Sequence, residues 1–383
     1  MHATLRRAVV VGAIGLICTA FPTSANGKGT IFVDDDHQQC KQAQFTSIQA
    51  AVLAAPSGGH IHVCPGLYPE TVTVDRPLRI EGAGPAPAQR TGDPLTEAVV
   101  QTPDRGFHVL ASDSEVTGFT VFGDASMTIG IDVSPFGTGN TVRRNFVRGH
   151  VIGVELSVGG PDRRPSLIAD NRIEDSSFGI AIDDNLGPAP DVTPAELTIR
   201  HNTLSNDATG ILLQRMRGVQ VKGNTLTDFS QGIDVRQSTE ISVLQNDLET
   251  GGFSATGISL RNDTFDTVFG NEVRGRFNGP AVAGIHLDGS QNDLVANNRI
   301  RRMRGDGVLL STTSHNVVLL NRSDENGNDG IQLQDSPENQ LLLNAMHDNA
   351  VFDAADDNRD DNVWEHNRCD TDSPPGTICT RGH

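Results

Sequence analysis

The chain has 383 residues and a formal net charge of −18, with 48 Asp and Glu against 30 Lys and Arg, and only 4% of its residues are aromatic. So acidic a surface excludes nucleic acid as a natural partner, because phosphate backbones are bound by clustered Lys and Arg. A polyanionic partner would need locally concentrated arginine or a bridging cation.

Residues 1–25 have the layout of an export signal: Arg6 and Arg7, an apolar stretch over 8–21, then small residues at 23–25. The stretch is broken by Gly12, Gly15 and Thr19 and is too short to span a bilayer, and no later segment is apolar enough to do so. Cleavage would remove two arginines and no acids, taking the charge from −18 to −20. The expected product is a secreted monomer, extracellular or periplasmic. Cys18 leaves with the signal, so Cys40, Cys64, Cys369 and Cys379 remain. An even count in an exported chain predicts disulfides; three pairings are open, and the local one would staple each end.

The first element in the mature chain is a short helix. Thr46-Ser47-Ile48-Gln49 has capping-box spacing, and Ile48, Ala51, Val52 and Ala55 share one face before Pro56 and Gly58-Gly59 stop it. It is expected to plug the N-terminal end of the repeat region.

From Asn145 onward an Asn-x-apolar unit recurs at Asn171, Asn202, Asn224, Asn246, Asn271, Asn298, Asn321, Asn344 and Asn367, with spacings of 22 to 31 residues. In phase with it runs a second series, Gly followed by Ile or Val, from Gly130-Ile131 to Gly330-Ile331. Between these marks lie short alternating segments such as GIDV and ISVLQN, which read as strands buried on one face. A period of about 22 residues has room for three strands and three turns, so the chain returns above its own start and pairs in parallel. The prediction is an all-β, right-handed parallel β-helix of three strands per coil and about 11 coils. Asn is expected at the turn because it tolerates the left-handed conformation and its amide can bond to the Asn one coil away. The divisions are 1–25 (signal), 26–75 (cap and first coil), 76–361 (repeats) and 362–383 (C-terminal cap).

The opening blocks FVDDD, FTSIQAAVLAA, HVCPGLYPETVTV and LRIEG, with the phased repeats and the NRCDTDSPPGTIC tail, resemble pectin-lyase-like β-helix proteins, especially bacterial repeat proteins of the NosD type. This superfamily includes lyases, hydrolases, esterases, epimerases and non-enzymatic members, so the resemblance implies fold more than activity. Gly66-x-Tyr68-x-Glu70 is similar to the opening motif of pectin methylesterases, but Asp266, the match to their catalytic strand, falls on the strand leading into Asn271. The arginine pattern of pectate lyases is broken after Arg163-Arg164-Pro165, and no Gly-His-Gly resembling the polygalacturonase site occurs.

By that resemblance the Gly-Ile sheet carries any active site. Its outward positions form two columns. They bring Asp234 with Arg236, Ser259 with Arg261, and His286 with Asp288 onto three successive coils. Such a group suits uronate chemistry: His286 moves the proton, Arg236 or Arg261 neutralises a substrate carboxylate, and Asp234 or Asp288 orients the imidazole or holds a cation. Asp183, Gln214 and Ser259 are expected to contact substrate. The scarcity of aromatic platforms, one Trp and one Tyr, favours instead a non-catalytic face that binds carbohydrate or a cell-surface partner. His60-x-His62, with His108 expected one coil on, is a donor set suited to copper or zinc. The acidic stretches Asp34-Asp35-Asp36 and 353–361 are candidates for Ca2+.

Overall fold

In the computed structural model one period folds into one coil, seen plainly in residues 220–244. Gln220–Lys222 forms a strand, Gly223 and Asn224 turn the chain into Thr225–Thr227, a second turn leads to Gln231–Arg236, and a third returns it to Ser242–Leu244. Each strand pairs in parallel with its equivalent in the next coil. Three sheets result: a first of 14 strands, a second of 12 and a third of 13. The described residues are 29–102, 104–123, 128–133, 138–158, 164–184, 196–251, 255–276, 281–357, 361–376 and 378–379. The expected signal at 1–25 lies outside them.

The interior is a set of stacked columns. Val221, Val243, Val268, Val295 and Val318 of the first sheet are registered partners, as are Ile211, Ile233, Ile258, Ile285 and Val308 of the third, and all are fully buried or within 1% of it. Each such side chain contributes about 1.5–3 kcal/mol relative to exposure. The phased glycines belong to the same packing. A Cβ on Gly257 would lie 2.5 Å from the Gly284 carbonyl oxygen and 2.5 Å from Val273 Cγ1. Backbone at that distance cannot give way, so the third sheet approaches the second only where it has no side chain.

The asparagines form the predicted ladder, with a different backbone logic. Asn224 Nδ2 donates to Asn246 Oδ1 at 3.0 Å and to the Ile199 carbonyl at 3.0 Å, while its own Oδ1 accepts from Asn202 N at 2.9 Å and Asn202 Nδ2 at 3.0 Å. The pattern continues from Asn145 to Asn367. The left-handed residue is not the asparagine but the one before it: Arg144, Asp170, His201, Gly223, Gln245, Gly270, Asn297, Leu320, Leu343 and His366 have φ between 52° and 67°. A side chain such as Leu320 there costs on the order of 1 kcal/mol. The rung's hydrogen bonds offset it. Asparagine is therefore retained for its amide, not for its tolerance of positive φ.

The N-terminal end is covered by a helix. The helix Ile48–Ala54 buries Ile48, Ala51 and Val52, and Ser47 is its N-cap. The acid that completes the cap comes from Glu70, which accepts from Ile48 N at 2.7 Å, Gln49 N at 2.9 Å and Ser47 Oγ at 2.8 Å. Gln49 is thus not the capping-box partner expected; its amide instead bonds Thr73 N at 2.6 Å on the end strand of the third sheet. Tyr68 is buried and donates to the Cys64 carbonyl at 2.8 Å. The esterase-like motif is here structural. Cys40–Cys64 and Cys369–Cys379 are disulfides, with Cα separations of 6.2 and 5.2 Å. Trp364, on the last strand of the first sheet, donates to Asp356 Oδ2 at 2.7 Å.

Candidate functional site on the third sheet

The register of the third sheet fixes which polar groups meet. Cα partners run His108, Asp132, Glu155, Ala181, Leu212, Asp234, Ser259, His286, Leu309 and Gln332 in one outward column. The second runs Asp183, Gln214, Arg236, Arg261, Asp288 and Ser311. Alternation along a strand and one coil per period are enough to generate both.

The centre is an arginine pair organised by one buried acid. Asp234 has no solvent exposure, while Arg236 and Arg261 keep 37% and 34% of their side chains exposed. Arg236 donates through Nε to Asp234 Oδ2 at 2.8 Å and again through Nη2. Arg261 Nε lies 3.6 Å from Asp234 Oδ1 and donates to Ser259 Oγ at 3.0 Å, and its Nη2 reaches Gln231 Oε1 at 3.3 Å. The two guanidinium groups share one buried carboxylate, and Asp288, the registered neighbour of Arg261, is a further acid on the adjoining coil. The paired donors hold both guanidinium planes in place, so little rotamer entropy is lost when an anion arrives.

His286 lies one coil on, but it does not join Asp288. Its Nε2 is 3.3 Å from Ser311 Oγ, and no hydrogen bond or ion pair links it to Asp288 among the described residues. Burial pushes the imidazole below its usual value, Asp288 opposing and Arg261 adding to the shift, so His286 is neutral at neutral pH. Asp183 is drawn away from the centre by Arg215, whose Nη2 donates to both its carboxylate oxygens at 2.6 Å. Gln214 stands between Asp183 and Arg236 in the column.

A second group sits towards the N-terminal end of the same face. Asp132, 7% exposed, pairs with Arg105 Nη1 at 2.9 Å and His108 Nε2 at 3.5 Å. Glu155 is its neighbour one coil on. Burial raises the pKa of both acids; each has further carboxylates nearby, and Arg105 opposes the shift in both. Asp132 and Glu155 are legible in the outward column of the sequence. Arg105 and Gln231 are not, because they precede the glycine, on the third outward position of each strand.

The expected metal group is not assembled. His60 and His62 lie on Gly59–Val63 of the first sheet, whereas His108 lies on Arg105–Val109 of the third. His60 has Thr30 Oγ1 at 3.2 Å and Glu81 Oε2 at 3.2 Å, and His62 packs edge-on to Phe32 at 5.5 Å. The period placed His108 one coil on, but the first and third sheets are separated by a turn. Asp34, Asp35 and Asp36 do lie within 4.8 Å of one another. Each receives a backbone N–H, from Cys40, Leu67 and Gln38 respectively, which accounts for the cluster without an ion. Asp353 likewise accepts from Asp370 N and Thr371 N.

Residues 191–373 match the family model described as periplasmic copper-binding protein (NosD). Among solved structures, the chain is similar to the catalytic unit of the thermostable GH87 α-1,3-glucanase from Streptomyces thermodiastaticus, at 16% identity and a TM-score of 0.66, over 85% of this chain and 66% of that one. It is similar to a DFA-IIIase mutant from Arthrobacter chlorophenolicus in complex with DFA-III (13% identity, TM-score 0.56, 82% of this chain and 89% of that one). It is also similar to a double mutant of the periplasmic alginate epimerase AlgG (14%, 0.52, 82% and 77%). The chain is a parallel β-helix, and its match to the NosD family covers somewhat under half of its length. Comparison with curated proteins gives no match. Among the described residues of this β-helix no helix is long and apolar enough to cross a membrane. Nor do the expected donors among the described residues fit a copper centre: the four described cysteines are oxidised in pairs, and His60 and His62 lie on a different sheet from His108.

Proposed function

We propose that this protein is secreted and that its third sheet binds an acidic carbohydrate of the extracellular or cell-surface kind, with Arg236 and Arg261 receiving a sugar carboxylate. The observation that carries this is the half-exposed arginine pair on consecutive coils, held by a fully buried Asp234. In this reading Ser259 and Asp234 are positioning groups. Gln214, Asp183, His286 and Asp288 flank the pair along the axis and offer hydrogen bonds to neighbouring sugar hydroxyls. The single Trp and single Tyr serve the C-terminal cap and the core, so binding rests on polar and ionic contacts and weakens with salt.

Calorimetric titration with oligomannuronate and oligogalacturonate, against a neutral glucan, tests this. The acidic oligomers should bind, and Arg261→Gln, which retains a donor for Ser259, should weaken them by about tenfold to a hundredfold, the worth of a hydrogen bond to a charged group. Equal binding of the neutral glucan, or no effect of Arg261→Gln, contradicts it. A catalytic reading is favoured by one separate observation, the adjacent acids Asp132 and Glu155 with raised pKa values. Turnover of these oligomers that disappears in Glu155→Gln supports that reading. Turnover that disappears in His286→Ala instead supports the proton-transfer role expected of His286.

A further inference from the structure

The turn leaving the third sheet carries a second ladder, and two of its rungs are acids. On successive coils, Asp266 Oδ1 accepts from Ile241 N, Asp293 Oδ1 from Asp266 N and Asn316 Oδ1 from Asp293 N, each at 2.8 Å. Asn339 Oδ1 then accepts from Asn316 N at 3.0 Å, and Asn362 Oδ1 from Asn339 N at 2.8 Å. In the amide rungs the other terminal atom is a donor: Asn316 Nδ2 gives a hydrogen to Asn339 Oδ1 at 3.0 Å. In Asp266 and Asp293 that place is taken by Oδ2. Both of these oxygens are buried without a hydrogen-bond partner, and both residues are 1% exposed.

The charged groups that face these rungs make the problem worse. Asp263, buried in the same turn, Asp293, the other acidic rung, and Glu240 on the preceding coil act on Asp266, and Asp293 and Asp234 act on Asp263; all are acids. Glu240 has its own cation in Arg217, at 2.7 Å on the exposed side. An ionised Asp266 would set bare oxygen against bare oxygen in dry surroundings, the most costly arrangement a buried polar group can adopt.

We propose that Asp266 and Asp293 are neutral carboxylic acids standing in for asparagine, each Oδ2–H donating along the ladder, so that this turn is a pH-sensitive element that loosens when the protons leave. Burial, with neighbouring carboxylates, drives Asp266 well above the usual carboxylate range, and burial pushes Asp293 up to about 7. The turn is tied to the binding face, because Asp263 Oδ2 accepts from the backbone N of Arg261 at 2.6 Å. Loss of the protons would therefore be felt at Arg261, although the proposal stands whether or not that residue binds sugar.

The test compares the full chain with Asp293→Asn and with Asp266→Asn/Asp293→Asn in urea from pH 4 to pH 9. A held proton makes the wild-type unfolding constant rise by roughly tenfold per pH unit per group between the unfolded and folded pKa values. Each substitution should remove its share of that slope and leave the variant more stable than wild type at pH 8. Infrared difference spectra at pH 5 should show the carbonyl band of a protonated carboxyl that is present in wild type and reduced in each variant. An unchanged slope, a variant less stable at pH 8 or unable to fold, or the absence of that band difference each overturns the proposal.

Discussion

Replacing Asn224 by alanine removes one rung from the middle of the asparagine ladder. Four hydrogen bonds disappear, two accepted by Oδ1 and two donated by Nδ2. Their partners do not suffer equally. Asn202 Nδ2 still reaches the Ile168 carbonyl at 3.0 Å, and Asn246 Oδ1 still accepts from the backbone N of residue 224 at 2.9 Å. The backbone N–H of Asn202 loses the acceptor that served it, in a position 1% exposed. An orphaned buried N–H costs about 1–3 kcal/mol and the other three bonds about 1 kcal/mol each net, so the expected loss is about 4–6 kcal/mol. Urea unfolding followed by circular dichroism should show it, with Thr225→Ala, the exposed next residue, as a control expected to change stability by about 0.5 kcal/mol or less. A loss below about 1 kcal/mol for Asn224→Ala would refute the claim that the ladder is satisfied rung by rung.

Removing the N-terminal staple as Cys40→Ser/Cys64→Ser releases a loop with a sequence separation of 24 and should lower stability by about 3 kcal/mol, read as a drop in Tm measured without reductant, so that Cys369–Cys379 stays intact; an unchanged Tm counts against it. Gly257→Ala should destabilise by about 1–3 kcal/mol in the same urea assay, because the new methyl meets a carbonyl oxygen at 2.5 Å; a neutral effect would show that the coils can separate. Asp207 is a third buried acid whose Oδ1 accepts a ladder bond, from Ser176 N at 2.8 Å, and whose Oδ2 has no partner. Burial pushes it up to about 8. The folded state thus binds its proton more tightly, so its contribution is full below the unfolded value of about 4 and is lost as pH rises towards 8, at up to about 1.4 kcal/mol per pH unit. Asp207→Asn should flatten that part of the stability profile, and an unchanged profile counts against it.

Much of the fold was legible because a solenoid writes its period into the chain. Two phased series gave the three-strand coil and the outward columns, and the registers from His108 to Gln332 agree with them. What periodicity could not supply was the reason for each residue. Asparagine was expected to hold the left-handed turn, yet that conformation falls on Arg144, Leu320 or His366, one position earlier, where no residue type is required. Glu70 looked like part of an enzymatic motif and instead caps the helix, a contact made across 22 residues of sequence. His108 was grouped with His60 and His62 because the period gives the coil but not the sheet within it. Side-chain direction was equally invisible: His286 and Asp288 share a strand, but His286 bonds to Ser311 on the next coil. The arginine pair survived because Asp234 and Arg236 stand two residues apart on one face of a strand and Arg261 is the registered neighbour of Arg236, so alternation and period together place all three.

The most direct test of the binding face is a crystal structure of the protein soaked with a uronate oligomer. A sugar carboxylate within hydrogen-bond distance of both Arg236 and Arg261, with the chain of sugars running along the third sheet past Gln214 and His286, is the predicted result. An oligomer bound on the first or second sheet, with the guanidinium groups still facing only Asp234, Ser259 and Gln231, would contradict it.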